Sequence, residues 1–299
     1  MITAPGFYPD ITPEQYFAEP CPAPAFTNSG AKTLMSKTPA DFAEEHPAIG
    51  GGIERARASA EMIRGDIVHQ LALGKGSGYF VIDAPDFRTK VAQQERDDAI
   101  ANGLTPVLAH KLAEHQIQAD KLQARIGATL NHIGASRGWL MPPGGWPYQT
   151  EIVIAWQEDG IWCRGMLDVW CEPLGVILDP KITKCIYDDT VDRQLSSMGW
   201  DMQATLYTRG VGKIVPELAG KVVFENILMH PDTHRFRNIR IDEATRYSCE
   251  TDLVRAMGIF RQCLAADHWP DFGLDASIRS APPWKMKERM EREMDDNDA

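Results

Sequence analysis

What the sequence lacks narrows its class first. No apolar run approaches the roughly 20 residues that a bilayer-crossing helix needs, and Met1 to Phe17 has neither the basic start nor the apolar centre of a signal peptide. The expectation is a cytoplasmic protein with no membrane attachment. The six cysteines, Cys21, Cys163, Cys171, Cys185, Cys249 and Cys263, include no Cys-x-x-Cys pair, so neither a zinc ribbon nor a thioredoxin-type motif is written here. They read as reduced, packed thiols. Gly74-Lys-Gly-Ser-Gly78 lacks the Gly-x4-Gly-Lys-Ser/Thr order of a phosphate loop and reads as a turn. Positive charge is also short: 31 Lys and Arg against 42 Asp and Glu give a net charge of -11, which argues against loose attraction to nucleic acid.

The scarcity of positive charge has a local exception. Between Thr205 and Arg240 stand Arg209, Lys213, Lys221, Arg235, Arg237 and Arg240 against Glu217, Glu225 and Asp232, six minus three, or +3. A basic face on an acidic body could hold a polyanion at one place. The remaining composition, 43% hydrophobic and 24% charged over 299 residues, is that of a globular chain with a sizeable core.

Along the chain, residues 1–25 carry six prolines, which predict an extended arm over the surface or onto a neighbouring subunit. Residues 26–280 read as one domain, mainly helical over 26–145 and built on a sheet with flanking helices over 146–280. Residues 281–299 read as a charged, disordered tail. Helices are predicted over Ile53–Leu73, from a Thr105-Pro106 cap to about Ile133, over Asp188–Arg209, and over Glu243–Ala266. Alternation predicts strands over Glu151–Trp156 and Ile161–Trp170, joined by a turn at Glu158-Asp-Gly160, and again over Lys221–Met229 and Phe236–Ile241. His230 and His234 could bind metal, but Pro231-Asp232 in a hairpin suffices to explain that segment.

The stretch from Gly165 to Lys181 carries the most chemistry. Two short apolar runs flank Glu172-Pro173-Leu174-Gly175 and predict a hairpin that brings Asp168 and Asp179 together near its open end. Two carboxylates so close need a cation, and Lys181 shares the strand face of Asp179. Hard oxygen ligands beside an ammonium suit Mg²⁺ or Mn²⁺ better than zinc or copper. The residues alone are also compatible with a surface hairpin of solvated charges. Likewise Glu151 can be a structural strand-edge acid, His69 a packed helix residue, and Gln203 with Tyr207, four apart, an ordinary helix face.

Taken in order, Gly65-x-x-x-His69, Gly165-x-x-Asp168, Asp179-x-Lys181 and Gln203-x-x-x-Tyr207 resemble the RecB-type branch of the PD-(D/E)XK nuclease superfamily. Thr27-Asn-Ser29 with Ser36-x-x-Pro39-x-x-Phe42 extends the resemblance to the phage and prophage RecE (exonuclease VIII) group, over roughly Phe26 to Ala266.

The resemblance implies an α/β fold, a central mixed sheet flanked by helices with a largely helical N-terminal part. It implies His69, Asp168, Asp179 and the Pro180 carbonyl as ligands of one or two Mg²⁺ or Mn²⁺ ions, and Lys181 as the residue that activates water. Glu151 matches a recurrent acid of the first strand. Gln203 and Tyr207, with Arg209 and Lys213, would brace the site or contact DNA.

The expected activity is exonucleolytic digestion of double-stranded DNA from its ends in phage-type recombination, in a bacterial host cytoplasm. The expected partners are a RecT-like annealing protein and further copies in a ring-like homo-oligomer. An endonuclease or structure-specific nuclease of the same fold, a non-catalytic DNA-binding or assembly module, and a metal-binding α/β protein with a small-molecule substrate are the alternatives. Pro180 departs from the usual strand, because proline cannot donate to a ladder, so that strand should be an edge or bulged there.

Overall fold

The proline-rich start is woven into the sheet rather than lying free. The computed structural model describes residues 1–52, 59–76, 78–274, 276 and 278–297. In it Gly6–Tyr8 is strand β1, Pro13–Phe17 helix α1 and Ala25–Phe26 strand β2. Proline permits the helix because Pro13 sits in the first turn, where no N–H is needed, and Thr12 and Gln15 cap each other's backbone. Ile2, Tyr16 and Cys21 bury against Val153, Ala155 and Trp162 of the same chain.

Helices α2 (Asn28–Ser36) and α3 (Pro39–Glu45) follow, opened by Thr27 and Thr38, whose hydroxyls accept from the N–H groups of Gly30 and Asp41. Helix α4 (Ala60–Leu73) starts behind a Ser59 cap. Residues 53–58 of the helix predicted there, and Ser77 in the turn after it, lie outside the described residues. Strand β3 (Tyr79–Ile82), helix α5 (Lys90–Ala101) and strand β4 (Thr105–Leu108) come next.

The long helix therefore does not begin at Thr105-Pro106. It is α6 (Ala109–Ser136), and Pro106 instead pairs with Phe80 in the parallel β3–β4 ribbon. A two-stranded ribbon leaves one flank of each strand open, so the missing proline N–H is tolerated.

The central sheet then forms from the alternating segments. Strands β5 (Gln149–Glu158) and β6 (Ile161–Cys171) pair antiparallel through a turn in which Asp159 and Gly160 both have positive φ, 49° and 81°. A 3₁₀ turn over Glu172–Leu174, ended by left-handed Gly175, leads into β7 (Val176–Ile182). Strand β8 (Val223–Met229) runs parallel to β7, and β9 (Phe236–Ile239) antiparallel to β8. The parallel step requires a crossover, supplied by α7 (Asp188–Met198) and α8 (Trp200–Ile214). A single helix is predicted over that stretch, but left-handed Gly199, φ 71°, ends α7 and precedes α8. The order is β1-β5-β6-β7-β8-β9, with β2 parallel to β6.

Helices cover both faces of this mixed sheet. On one, α8 and α9 (Glu243–Ala266), with α2 and α3, enclose Trp156, Phe26, Phe42, Ile177 and Phe260. On the other, α4 and α6 enclose Val68, Leu122, Ile126, Val176 and Leu178. The α/β class with a central mixed sheet and a largely helical N-terminal part is what the structure has. Residues 283–297, where charge density predicts disorder, form helix α10 (Pro283–Asn297), with Lys285, Lys287 and Arg292 paired to Glu288 and Glu291 at helical spacing. No helix among the described residues is long and apolar enough to cross a membrane.

Candidate active site

The β6–β7 hairpin parts where its acids stand. The ladder ends at Val169↔Leu178, and the next step in the same register would pair Asp168 with Asp179. On the other flank the β5–β6 ladder is intact at Ile152↔Leu167 and Thr150↔Val169 but interrupted between them, where Glu151 faces Asp168. Glu151 has φ 47°, a conformation non-glycine residues adopt at a cost and typically at a bulge. Three carboxylates thus meet at one interruption of the sheet. Asp179 is 1% exposed and Glu151 5%.

Helix α4 supplies the cation between two of them. With Val68 and Ala72 packed on the sheet, His69 extends across the gap, Nδ1 3.3 Å from Glu151 Oε1 and Nε2 3.1 Å from Asp168 Oδ2. Lys181, two residues beyond Asp179, places Nζ 2.5 Å from Asp179 Oδ1. Pro180 lies between them, and its position is workable because the β6 ladder has already ended while pairing with β8 continues at Pro180↔Ile227.

The glycine of the Gly165-x-x-Asp168 run has a steric cause. A Cβ there would come within 2.5 Å of Cε1 of Tyr207 on α8, so only glycine lets that ring close on β6. Tyr207 is buried, and Gln203 stands one turn earlier on the same helix. Burial, with Asp179 and Asp168 nearby, holds the Tyr207 hydroxyl protonated well beyond the ordinary tyrosine range.

The charges depend on one another. Burial alone would discharge His69, but Asp168 and Glu151 outweigh it and its pKa is pushed up to about 10. Burial likewise opposes charge on Lys181, and Asp179 and Asp168 overcome it. Of the two aspartates, Asp168 is held ionised against its burial by His69, whereas burial and the Asp168 charge push the Asp179 carboxyl upward despite Lys181.

The donor set fits a hard divalent cation in kind. It offers three carboxylates and an imidazole, with Glu151 Oε2 buried and without a hydrogen-bond partner. Among the described residues no three His, Cys, Asp or Glu side chains already form a metal cage. His69 instead supplies positive charge itself, so acting as a ligand would require exchange of its proton for the ion.

Two residues expected to brace the site or contact DNA are paired with acids. Arg209 pairs with Glu158 and with Glu250, 2.5 Å away, and Lys213 Nζ lies 3.2 Å from Glu158, at the far end of β5 from Glu151. Arg237 pairs with Asp188 and Arg240 with Glu225. The +3 counted along 205–240 is therefore not a free basic face, because acids from outside the segment neutralise much of it. His230 and His234 are also occupied, His230 Nδ1 accepting from the Asp232 and Thr233 N–H groups and His234 Nδ1 from Lys121 at 2.9 Å.

No protein-family model and no curated protein matches this sequence. Among solved structures, one described as a "putative exonuclease" from Eubacterium rectale is similar. The two share 14% identity at a TM-score of 0.55, over 93% of this chain and 98% of that one. That likeness is one of fold.

Proposed function

We propose that this chain is a metal-dependent deoxyribonuclease, an exonuclease that digests double-stranded DNA from its ends. The observation that carries the reading is the meeting of His69, Glu151, Asp168, Asp179 and Lys181 at one break in the sheet. Three acids against two cations leave a net negative charge, which suits a divalent ion. The description of the similar Eubacterium rectale protein favours exonuclease over endonuclease.

His69, Asp168, Asp179 and the Pro180 carbonyl would hold one or two Mg²⁺ or Mn²⁺ ions. Such an ion supplies Lewis acidity toward the scissile phosphate and acidifies a bound water. The chain's own residues do the rest. Lys181 donates to and orients the attacking water, Glu151 holds His69 in place, and Tyr207, braced by Gln203, packs Gly165 so that Asp168 stays aimed. The setting proposed is phage-type recombination in a bacterial host, with a RecT-like annealing partner and a ring-like homo-oligomer.

Labelled linear and covalently closed duplexes incubated with Mg²⁺ test this reading. Degradation of the linear duplex alone, lost with EDTA and in Lys181→Ala, is expected. Full Mg²⁺-dependent cutting by Lys181→Ala, or no cutting by the wild type with either ion, would overturn it.

A further inference from the structure

Asp179 has a neighbour that no motif marks. On the parallel β7–β8 ladder it is in register with Asn226, and residues so paired project from the same face of the sheet. Both are 1% exposed. Asn226 carries a buried donor, Nδ2, without a hydrogen-bond partner, and Asp179 carries a buried carboxylate whose Oδ1 meets the Lys181 ammonium at 2.5 Å. A carboxylate has two oxygens and several acceptor positions, so one ammonium does not exhaust it.

A buried orphan donor costs about 1–3 kcal/mol, and native interiors keep few of them. The positions two before and two after Asn226 on its strand are Phe224 and Leu228, both buried and apolar. By burial alone a leucine would suit position 226 better than an amide. An orphan donor and a carboxylate on strands about 4.8 Å apart are within reach of each other by side-chain rotation.

We propose that Asn226 is a positioning residue for the site, its Nδ2 donating to the Asp179 carboxylate and fixing that side chain where it would help hold the cation. The role rests on the nuclease reading; the contact does not. Asn226 would thus act on the ion only through Asp179.

Two measurements test the proposal separately. In EDTA, urea unfolding of Asn226→Ala, Asp179→Ala and the double variant should be non-additive, the double variant's unfolding constant departing about fivefold or more from the product of the single effects. Additivity would overturn the contact whether or not the protein cuts DNA. Calorimetric Mn²⁺ titration without DNA should show binding weakened about tenfold or more in Asn226→Ala, as for other residues that orient a metal ligand, and largely restored in Asn226→Ser, which keeps a donor. Equal affinity in wild type and Asn226→Ala would overturn the positioning role. Wild-type protein that binds no Mn²⁺ would overturn the nuclease reading and that role together, and the unfolding cycle would still decide the contact.

Discussion

His69 Nε2 lies 3.1 Å from Asp168 Oδ2, and the opposite ring nitrogen lies 3.3 Å from Glu151, so one imidazolium separates two acids that the β5–β6 register sets face to face. Removing the ring leaves those carboxylates uncompensated in a mostly buried place. His69→Ala should lose about 3–5 kcal/mol of stability in EDTA, the cost of breaking a buried charge pair from one side. Mn²⁺ should add less stability to the variant than to the wild type, because one of the proposed ligands of the ion is gone. Urea unfolding with and without the ion measures both, and a variant as stable as wild type in EDTA would mean that the ring holds nothing together.

Gly165 and Tyr207 are coupled by shape rather than charge. A methyl at 165 would strike the Tyr207 ring, a buried residue packed against Phe224. Gly165→Ala should cost about 1–3 kcal/mol from overpacking and reduce cleavage sharply although no polar group is lost. Tyr207→Leu in the same chain should return most of the stability. Thermal melts of the single and double variants compare the two, and a Gly165→Ala protein with wild-type stability would show that α8 can move aside freely.

The Arg209–Glu158 pair gives a pH dependence of defined sign. Burial raises the pKa of Glu158, but Arg209 and Lys213 outweigh it and hold the folded value below the ordinary one. A depressed carboxylate stabilises the fold above its unfolded pKa, about 4.3 for glutamate, and that contribution is lost as pH falls through the folded value. Wild-type stability should therefore fall more steeply than that of Glu158→Gln below about pH 4.3. Arg209→Ala should lower stability at neutral pH while leaving DNA affinity nearly unchanged. Unfolding curves at stepped pH, with an electrophoretic shift assay for DNA, check these outcomes, and parallel pH curves for the two proteins would remove the pair from the stability account.

Legibility in the sequence followed the range of each interaction. The β5–β6–β7 hairpins could be read because alternation and turn residues such as Asp159-Gly160 and Gly175 are local, and local register alone brings Asp168 to Asp179. Thr105-Pro106 misled because proline suits a helix start and an open strand flank equally, and only the pairing of Pro106 with Phe80 decides between them. The N-terminal prolines hid strands whose partners lie more than a hundred residues on. Arg209 and Lys213 looked free because Glu158 and Glu250 come from other elements. Asn226 could not be seen at all, since its neighbourhood depends on a parallel register across a two-helix crossover.

The clasp on the N-terminal segment gives the last test. Glu19, itself at φ 68°, accepts from the N–H of Ala25 at 3.1 Å and from Arg164 Nη2 at 3.2 Å, with His46 Nε2 3.3 Å away. Arg164 also donates to the Tyr16 carbonyl at 2.6 Å and lies over its ring. Burial opposes charge on Glu19, but His46 and Arg164 outweigh it and hold its carboxyl below the usual range, so the clasp is tight at neutral pH and loosens as acid protonates it. Arg164→Met keeps the bulk over Tyr16 and takes the guanidinium from a carboxylate whose side chain is 4% exposed, leaving it backbone N–H groups and His46. It should cost about 3–5 kcal/mol and release β1 from β5, opening residues 8–12 to protease while the rest of the sheet holds. Arg164→Met with Glu19→Gln removes both charges and should recover much of the loss. Equal protease resistance in Arg164→Met and wild type would mean that β1 pairing and the burial of Ile2 hold the segment without the clasp.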